Sequence, residues 1–343
     1  MIVGYATGEL WLFRTVAWVW LIVAVLDLAI RPDPRNTTDK QVADLNRTLA
    51  WRLAVRSWVP VQIAIIVCGL LITTRYSLAS KELVLVTVSI GIASGMFCIP
   101  VAHDLMHRRA KVDKILAEIL MMSVSYPHFC IEHVHGHHRN VGTVNDPATA
   151  QFGESFYVFY LRTVFGGMAS AWNIEKARLH PLGVGVLSSH NRMIQYVATL
   201  CTIYASIFYV FGWLGTGFFA VQSVIAFSML EVINYVEHYG LTRRETGSSH
   251  YERIMPWHSW DSSHKISNWM LFNLGRHSDH HYSSRKYDRH FSHLKEVPQL
   301  PTGYFGMFLL PLLPPLWYRV MNPRVEAWQR KHGILSGADS VKW

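Results

Sequence analysis

Nineteen of the 343 residues are histidine, and the spacing of nine of them could do chemistry. His277-Ser278-Asp279-His280-His281 puts three imidazoles in five positions. In a helix His277 and His281 are four apart, and His280 lies one turn on from His277, so all three crowd one face. Basic rings gathered on one face gain little from packing, and a cation held between them explains the pattern. The alternative is a polar turn in solvent. Three more clusters favour the cation. His103-Asp104-Leu105-Met106-His107 projects His103 and His107 from one helix face. Glu132-His133-Val134-His135-Gly136-His137-His138 puts His133 and His137 on one face with His138 beside them. Gly136 is expected to leave room where two rings approach, and His135 to point elsewhere. Asn234-Tyr235-Val236-Glu237-His238-Tyr239-Gly240 adds His238.

The candidate metal ligands are thus His103, His107, His133, His137, His138, His238, His277, His280 and His281. A zinc site takes about four ligands, so nine imidazoles suit two ions rather than one. All-nitrogen donors point to iron, copper or zinc. Asp104, Glu132, Glu237 and Asp279 each adjoin a candidate ligand in sequence. Helical neighbours point apart, so these carboxylates are expected to hold the ring N–H groups of other ligands.

The elements that position these residues read as membrane helices. Half of the chain is hydrophobic, and the mean hydropathy is +0.16. Apolar runs cover Thr15–Ile30, Ser57–Thr74, Leu83–Ala102, Met193–Phe211 and Thr216–Val236. Each is near the ~20 residues that cross a bilayer as a helix, and none alternates like a barrel strand. The fold class is therefore all-α: a polytopic transmembrane bundle of about five spans, six at most. Ile115–Tyr126 and Phe156–Trp172 read as interfacial or re-entrant helices. Tyr304–Met321, broken by Pro311, Pro314 and Pro315, reads as partly inserted. Residues after Arg324 read as a tail, so a single domain is expected over 1–328 with a short tail over 329–343.

Lys and Arg concentrate in the Arg31–Arg56 loop and after the third and fifth runs. The positive-inside rule puts those loops, and the histidine clusters at the span ends, on the cytoplasmic side, with the N-terminus outside. The net charge of +9 thus reads as a topology signal and not as a nucleic-acid surface. Cys68, Cys98, Cys130 and Cys201 have no CxxC spacing, so no disulfide framework or cysteine metal site is expected. The first ten residues carry no basic region of a cleavable signal.

The motifs resemble those of the integral-membrane, histidine-rich di-iron hydroxylases of the bacterial alkane 1-monooxygenase type. The resemblance rests on the four clusters and on Leu274-Gly275-Arg276 before the last of them. It continues through Asp146-Pro147-Ala148-Thr149, Gly153-Glu154-Ser155 and His258-Ser259-Trp260-Asp261-Ser262, then Pro298 to Gly306 and Pro315-Leu316-Trp317, covering roughly residues 15–328. The Asn-Tyr-x-Glu-His-Tyr-Gly element separates these hydroxylases from most desaturases of the same superfamily. Two departures stand out: Asp104 occupies a position where Glu is usual, and five apolar runs stand where six spans are usual, as if a first span were absent.

The resemblance implies two non-haem irons held by the nine histidines, with Asp261 joining the carboxylates around them. It implies O2 as co-substrate, and electrons from an external rubredoxin or ferredoxin with its reductase. The substrate implied is an apolar hydrocarbon, an n-alkane hydroxylated at its terminal methyl group in the bacterial inner membrane. Pro100 to Arg109 and Gly142-Thr143 also resemble the relatives that hydroxylate aryl methyl groups. Trp18, Trp20, Met96 and Phe97 could supply pocket bulk, or could simply face lipid. Arg243, Arg244, Arg285 and Lys286 could receive the redox protein, or could reflect charge bias alone. A fatty-acyl desaturase, a metal or proton transporter, and a metal sensor or store stay open as rival functions.

Overall fold

The computed structural model describes residues 11–38, 40–41, 44, 48–247, 250–283 and 291–332. Helices dominate it, and the only described sheet is a short hairpin, Glu245–Gly247 against His250–Tyr251. Three helices are long and apolar enough to cross a membrane: Leu49–Arg75, Ser80–Met106 and Arg192–His238. Val16–Ala29 is a shorter apolar helix. Many of their large apolar side chains face outward, among them Leu21, Ile22, Ile63, Val67, Val197 and Val221. A contiguous belt of this kind suits a hydrocarbon solvent.

The Arg192–His238 helix is two helices. Gly212 has a non-helical backbone, with φ 64 and ψ −164, and only glycine adopts that conformation without cost. Tyr204 and Phe219 would stand about 22 Å apart on a straight helix, yet their ring centroids are 5.2 Å apart. The chain doubles back at Gly212. The fourth and fifth apolar runs of the sequence therefore form an antiparallel pair.

The second half of this hairpin packs against the Ser80–Met106 helix through Gly91 and Gly95. A Cβ on Gly91 would lie 2.7 Å from Ile225 Cβ, and one on Gly95 would lie 3.0 Å from the Ala226 carbonyl. This small-xxx-small spacing lets two backbones approach closely where no hydrophobic effect drives helices together. The same helix turns π-helical at Ser94–Cys98. Pro100 lacks the N–H that would continue the ladder there, and the widened turn absorbs the defect. Gln62 Nε2 donates to Ser94 Oγ at 2.9 Å, tying the bulge to the neighbouring helix.

Polar contacts fasten the first helix. Asp27, the one acid in its apolar run, is buried. It accepts from the backbone N–H groups of Ile266 at 3.0 Å and Ser267 at 3.2 Å, and from the Ser267 hydroxyl. It thereby satisfies the free N–H groups that open the Lys265–Met270 helix. The two segments expected to be interfacial or re-entrant fall on helices Lys111–Met122 and Phe156–Leu179.

One expectation fails. Residues 325–332 are not a tail, since helix Pro314–Lys331 carries buried Val325 and Gln329, and the residues beyond 332 lie outside the described ones. Gln329 Nε2 donates to the Gly240 carbonyl at 3.0 Å. Pro314 and Pro315 open this helix, because the first turn needs no N–H from them.

Replacing Gly91 by Leu should push the hairpin away from the Ser80–Met106 helix and cost roughly 1–3 kcal/mol. The thermal unfolding midpoint of the detergent-solubilised protein should fall. Val84→Leu, on the exposed face of the same helix, should leave it in place.

Candidate metal centre

All nine expected histidines converge. His103 and His107 come from the end of the Ser80–Met106 helix, and His238 closes the Arg192–His238 helix. His133 and His137 bound a π-helical turn, with His138 next to it. His277, His280 and His281 sit on the short His277–Tyr282 helix. The rings fall into two groups, His103, His107, His133 and His280 in one and His137, His238, His277 and His281 in the other. His138 lies between them, its ring 4.5 Å from His280 and 4.7 Å from His281.

His133 and His137 share a face as expected, their rings stacked 5.2 Å apart, yet they fall in different groups across the π-helical turn. His277, His280 and His281 also crowd together, with ring centroids 4.6–5.1 Å apart, and their helix straddles the groups. Gly136 works differently from the expectation. A Cβ there would meet Glu132 Oε1 at 2.7 Å and Ser170 Oγ at 3.0 Å, not another imidazole.

The Nε2 atoms face one another at short range. His103 Nε2 is 2.9 Å from His133 Nε2 and 3.2 Å from His280 Nε2. His133 Nε2 is 3.0 Å from His107 Nε2 and 3.1 Å from His138 Nε2. In the second group His277 Nε2 is 3.1 Å from His238 Nε2 and 3.0 Å from His281 Nε2. Two ligands about 2.1 Å from one ion and roughly at right angles stand about 3.0 Å apart. The donor set and its spacing therefore fit metal ions.

Electrostatics agree. Burial, and then repulsion from neighbouring rings, hold His133, His277, His280 and His281 well below the ordinary imidazole range. They are neutral, which is the form that binds metal. His137 is the exception. Burial lowers it, but the Asp146 carboxylate outweighs burial and raises it.

Asp146 is the orienting group that reading the residues in isolation did not assign. His137 Nδ1 lies 2.9 Å from Asp146 Oδ2, which leaves Nε2 buried and without a hydrogen-bond partner. Asp146 is itself held by Thr149 Oγ1 at 2.6 Å and the Ala148 N–H at 3.1 Å. The signal was present in Asp146-Pro147-Ala148-Thr149, whose turn ties the acid to its own backbone.

The expected carboxylates take different places. Glu237 Oε1 lies 3.2 Å from His277 Nδ1. Glu132 accepts from Ser170 Oγ at 3.4 Å, and Asp104 pairs with Arg108 at 2.7 Å. Asp261 and Asp279 hold backbone: Asp261 accepts from the Ser278 N–H at 3.2 Å and Asp279 from the Ser292 N–H at 2.8 Å. They fix the short helix that carries three of the histidines. His135 is exposed, and His190 and His332 belong to neither group.

An apolar cavity, partly open to the outside, abuts both groups; its atom-free space, counted with that opening, is about 670 Å³. Trp20, Met96, Ile99, Leu230, Ile233 and Phe308 line it together with His103, His133 and His277. Of the four expected bulky residues, Trp20 and Met96 form wall. Trp18 is 58% exposed, and Phe97 packs on Trp58 at 5.6 Å. Arg243 and Arg244 donate to carbonyls, of Glu252 at 2.7 Å and His332 at 2.6 Å. Arg285 and Lys286 lie outside the described residues.

Replacing Asp146 by Ala should weaken metal binding about 10- to 100-fold by releasing the His137 ring; chelator competition measures this. The metal-free protein should also lose stability as pH falls. The depressed imidazoles stay neutral in the fold while the unfolded chain takes up protons below about pH 6.5. Unfolding midpoints of chelator-treated protein should therefore drop between pH 7.5 and pH 5.5.

The fatty acid desaturase family profile matches residues 81–317. Alkane 1-monooxygenase 2 of Alcanivorax borkumensis is 37% identical over 94% of this chain and 85% of its own length. Alkane 1-monooxygenase of Acinetobacter baylyi is 36% identical over 89% of this chain and 74% of its own. The xylene/toluene monooxygenase hydroxylase component of Pseudomonas putida is 30% identical over 71% of this chain and 65% of its own. The chain belongs to the fatty acid desaturase family and, within it, to the alkane 1-monooxygenases, a group of oxidoreductases.

Proposed function

We propose that this protein hydroxylates the terminal methyl group of an n-alkane to a primary alcohol, using O2 and electrons from an external rubredoxin or ferredoxin. One observation carries the reading: an apolar cavity has imidazoles of both histidine groups in its wall. A saturated hydrocarbon offers no polar handle, so shape and apolar contact must orient it. The cavity walls supply that contact beside the two groups.

Two irons would be held by His103, His107, His133 and His280 in one group and His137, His238, His277 and His281 in the other, with His138 between them. When bound, they supply the redox chemistry that reduces O2 and inserts one oxygen atom into a C–H bond. The chain's own residues do the rest. His133, His277, His280 and His281 stay neutral, Asp146 orients His137, and Asp261 and Asp279 anchor the short helix. Apolar walls bring the hydrocarbon up and keep water from the reacting carbon. The chain has no cysteine motif for an electron-transfer cluster, which is why the donor is external. The site would face the cytoplasm from the inner membrane, where basic loops follow the apolar runs.

The xylene/toluene relative motivates a second reading, in which the substrate is an aryl methyl group. Membranes holding the protein, a rubredoxin and its reductase, supplied with n-octane and with p-xylene, separate the readings. 1-Octanol as the main product is the expected result, and 4-methylbenzyl alcohol as the main product favours the second reading. An alkene from a fatty-acyl chain, with neither alcohol, would overturn both. His238→Ala should abolish product and metal content together.

A further inference from the structure

We propose that Tyr304 is a positioning residue for His277, acting through Glu237, and that the turn carrying Tyr304 couples filling of the apolar cavity to the second histidine group. The proposal rests on the hydrocarbon reading. Tyr304 is buried, and its hydroxyl donates to Glu237 Oε1 at 2.6 Å. The same oxygen lies 3.2 Å from His277 Nδ1. A short bond to a carboxylate is among the stronger hydrogen bonds, so the phenol fixes that oxygen, which stands close to the imidazole but outside hydrogen-bond geometry with it. The Tyr304 hydroxyl also lies 3.3 Å from the Leu274 carbonyl, three residues before His277.

The neighbouring residue faces the cavity. Phe305 lines it, and its carbonyl accepts from Trp20 Nε1 at 2.9 Å. The Trp20 ring packs on Phe305 with centroids 5.0 Å apart. Tyr304 and Phe305 share one helical turn, Tyr304–Met307. At the start of that turn, Gly303 sits against the Asp27 carboxylate, with no room for a side chain. The turn is thus pinned at one end and leans on the cavity wall at the other. A hydrocarbon that displaces Trp20 or Phe305 tips the backbone that also holds Tyr304. The effect then reaches His277 through the Glu237 carboxylate, in addition to the contact that Tyr304, Glu237 and His277 themselves make with the cavity. A ligand contact that differs between two arrangements of such an element is what coupling between sites requires.

The test uses the full-length protein in detergent, loaded with Co2+ as a spectroscopic probe of the histidine ligands. Saturating n-octane should shift the visible Co2+ bands of the wild type. Tyr304→Phe should retain octane, measured by extraction and gas chromatography, but should lose the shift. It should also release Co2+ to EDTA about 10-fold faster. Glu237→Gln tests the contact from the other side and should lose the shift too. Tyr304→Phe should then add nothing in the Glu237→Gln background. If Tyr304→Phe does not fold, Glu237→Gln alone decides. Wild-type shift and release rate in either folded single variant would overturn the proposal. Octane bound by the wild type without a shift overturns the coupling alone, and a wild type that binds no octane removes the hydrocarbon reading with it.

Discussion

Nine imidazoles brought within touching distance are the constraint on which the structure turns. Nε2 atoms separated by 2.9–3.2 Å cannot all carry protons. Two facing N–H groups repel, and two facing imidazolium ions repel far more strongly in a buried site. Deep burial keeps His133, His277, His280 and His281 neutral and their lone pairs available. Such a site makes sense only where something electron-poor takes those lone pairs, and every other feature of the fold serves to deliver the rings there.

Delivery is divided between rigid and adaptable parts. Long apolar helices bring His103, His107 and His238 to a shared level, and close packing at Gly91 and Gly95 sets their spacing. The remaining six ligands ride on short pieces: a π-helical turn, the residue after it, and a six-residue helix. Short helices have little stability of their own, so buried carboxylates hold them. Asp146, Asp261 and Asp279 each fix a backbone segment or a ring by hydrogen bonds. The carboxylates thus act mainly as fasteners, and Asp146 and Glu237 come within about hydrogen-bond range of a candidate ligand ring.

The same economy appears at the membrane-facing side. Outward apolar residues are matched to lipid, and buried polar residues such as Asp27 and Glu231 are tied down by hydrogen bonds. Asp27 shows why: a lone acid in an apolar helix is costly to bury, and here it is used to cap another helix. That contact sets the first helix, and with it Trp20, against the cavity. Substrate wall and ligand-bearing loop are therefore parts of one packed unit.

The sequence by itself marked the nine candidate ligands, because imidazole spacing on short helical stretches is a local property. It also determined the apolar runs, since crossing lipid demands length and composition that can be counted. Family membership followed from the same motifs. Tertiary structure alone decided the partition into two groups, because a π turn and the crossing of separate helices, not spacing, aim each ring. The reversal between the fourth and fifth apolar runs was legible in the sequence, and the structure places it at the Gly212 backbone. The pairing of Asp146 with His137, the reach of Tyr304 to Glu237, and the helical course past Arg324 were likewise its decisions. Each depends on where distant segments meet, and no local pattern of residue types encodes that meeting.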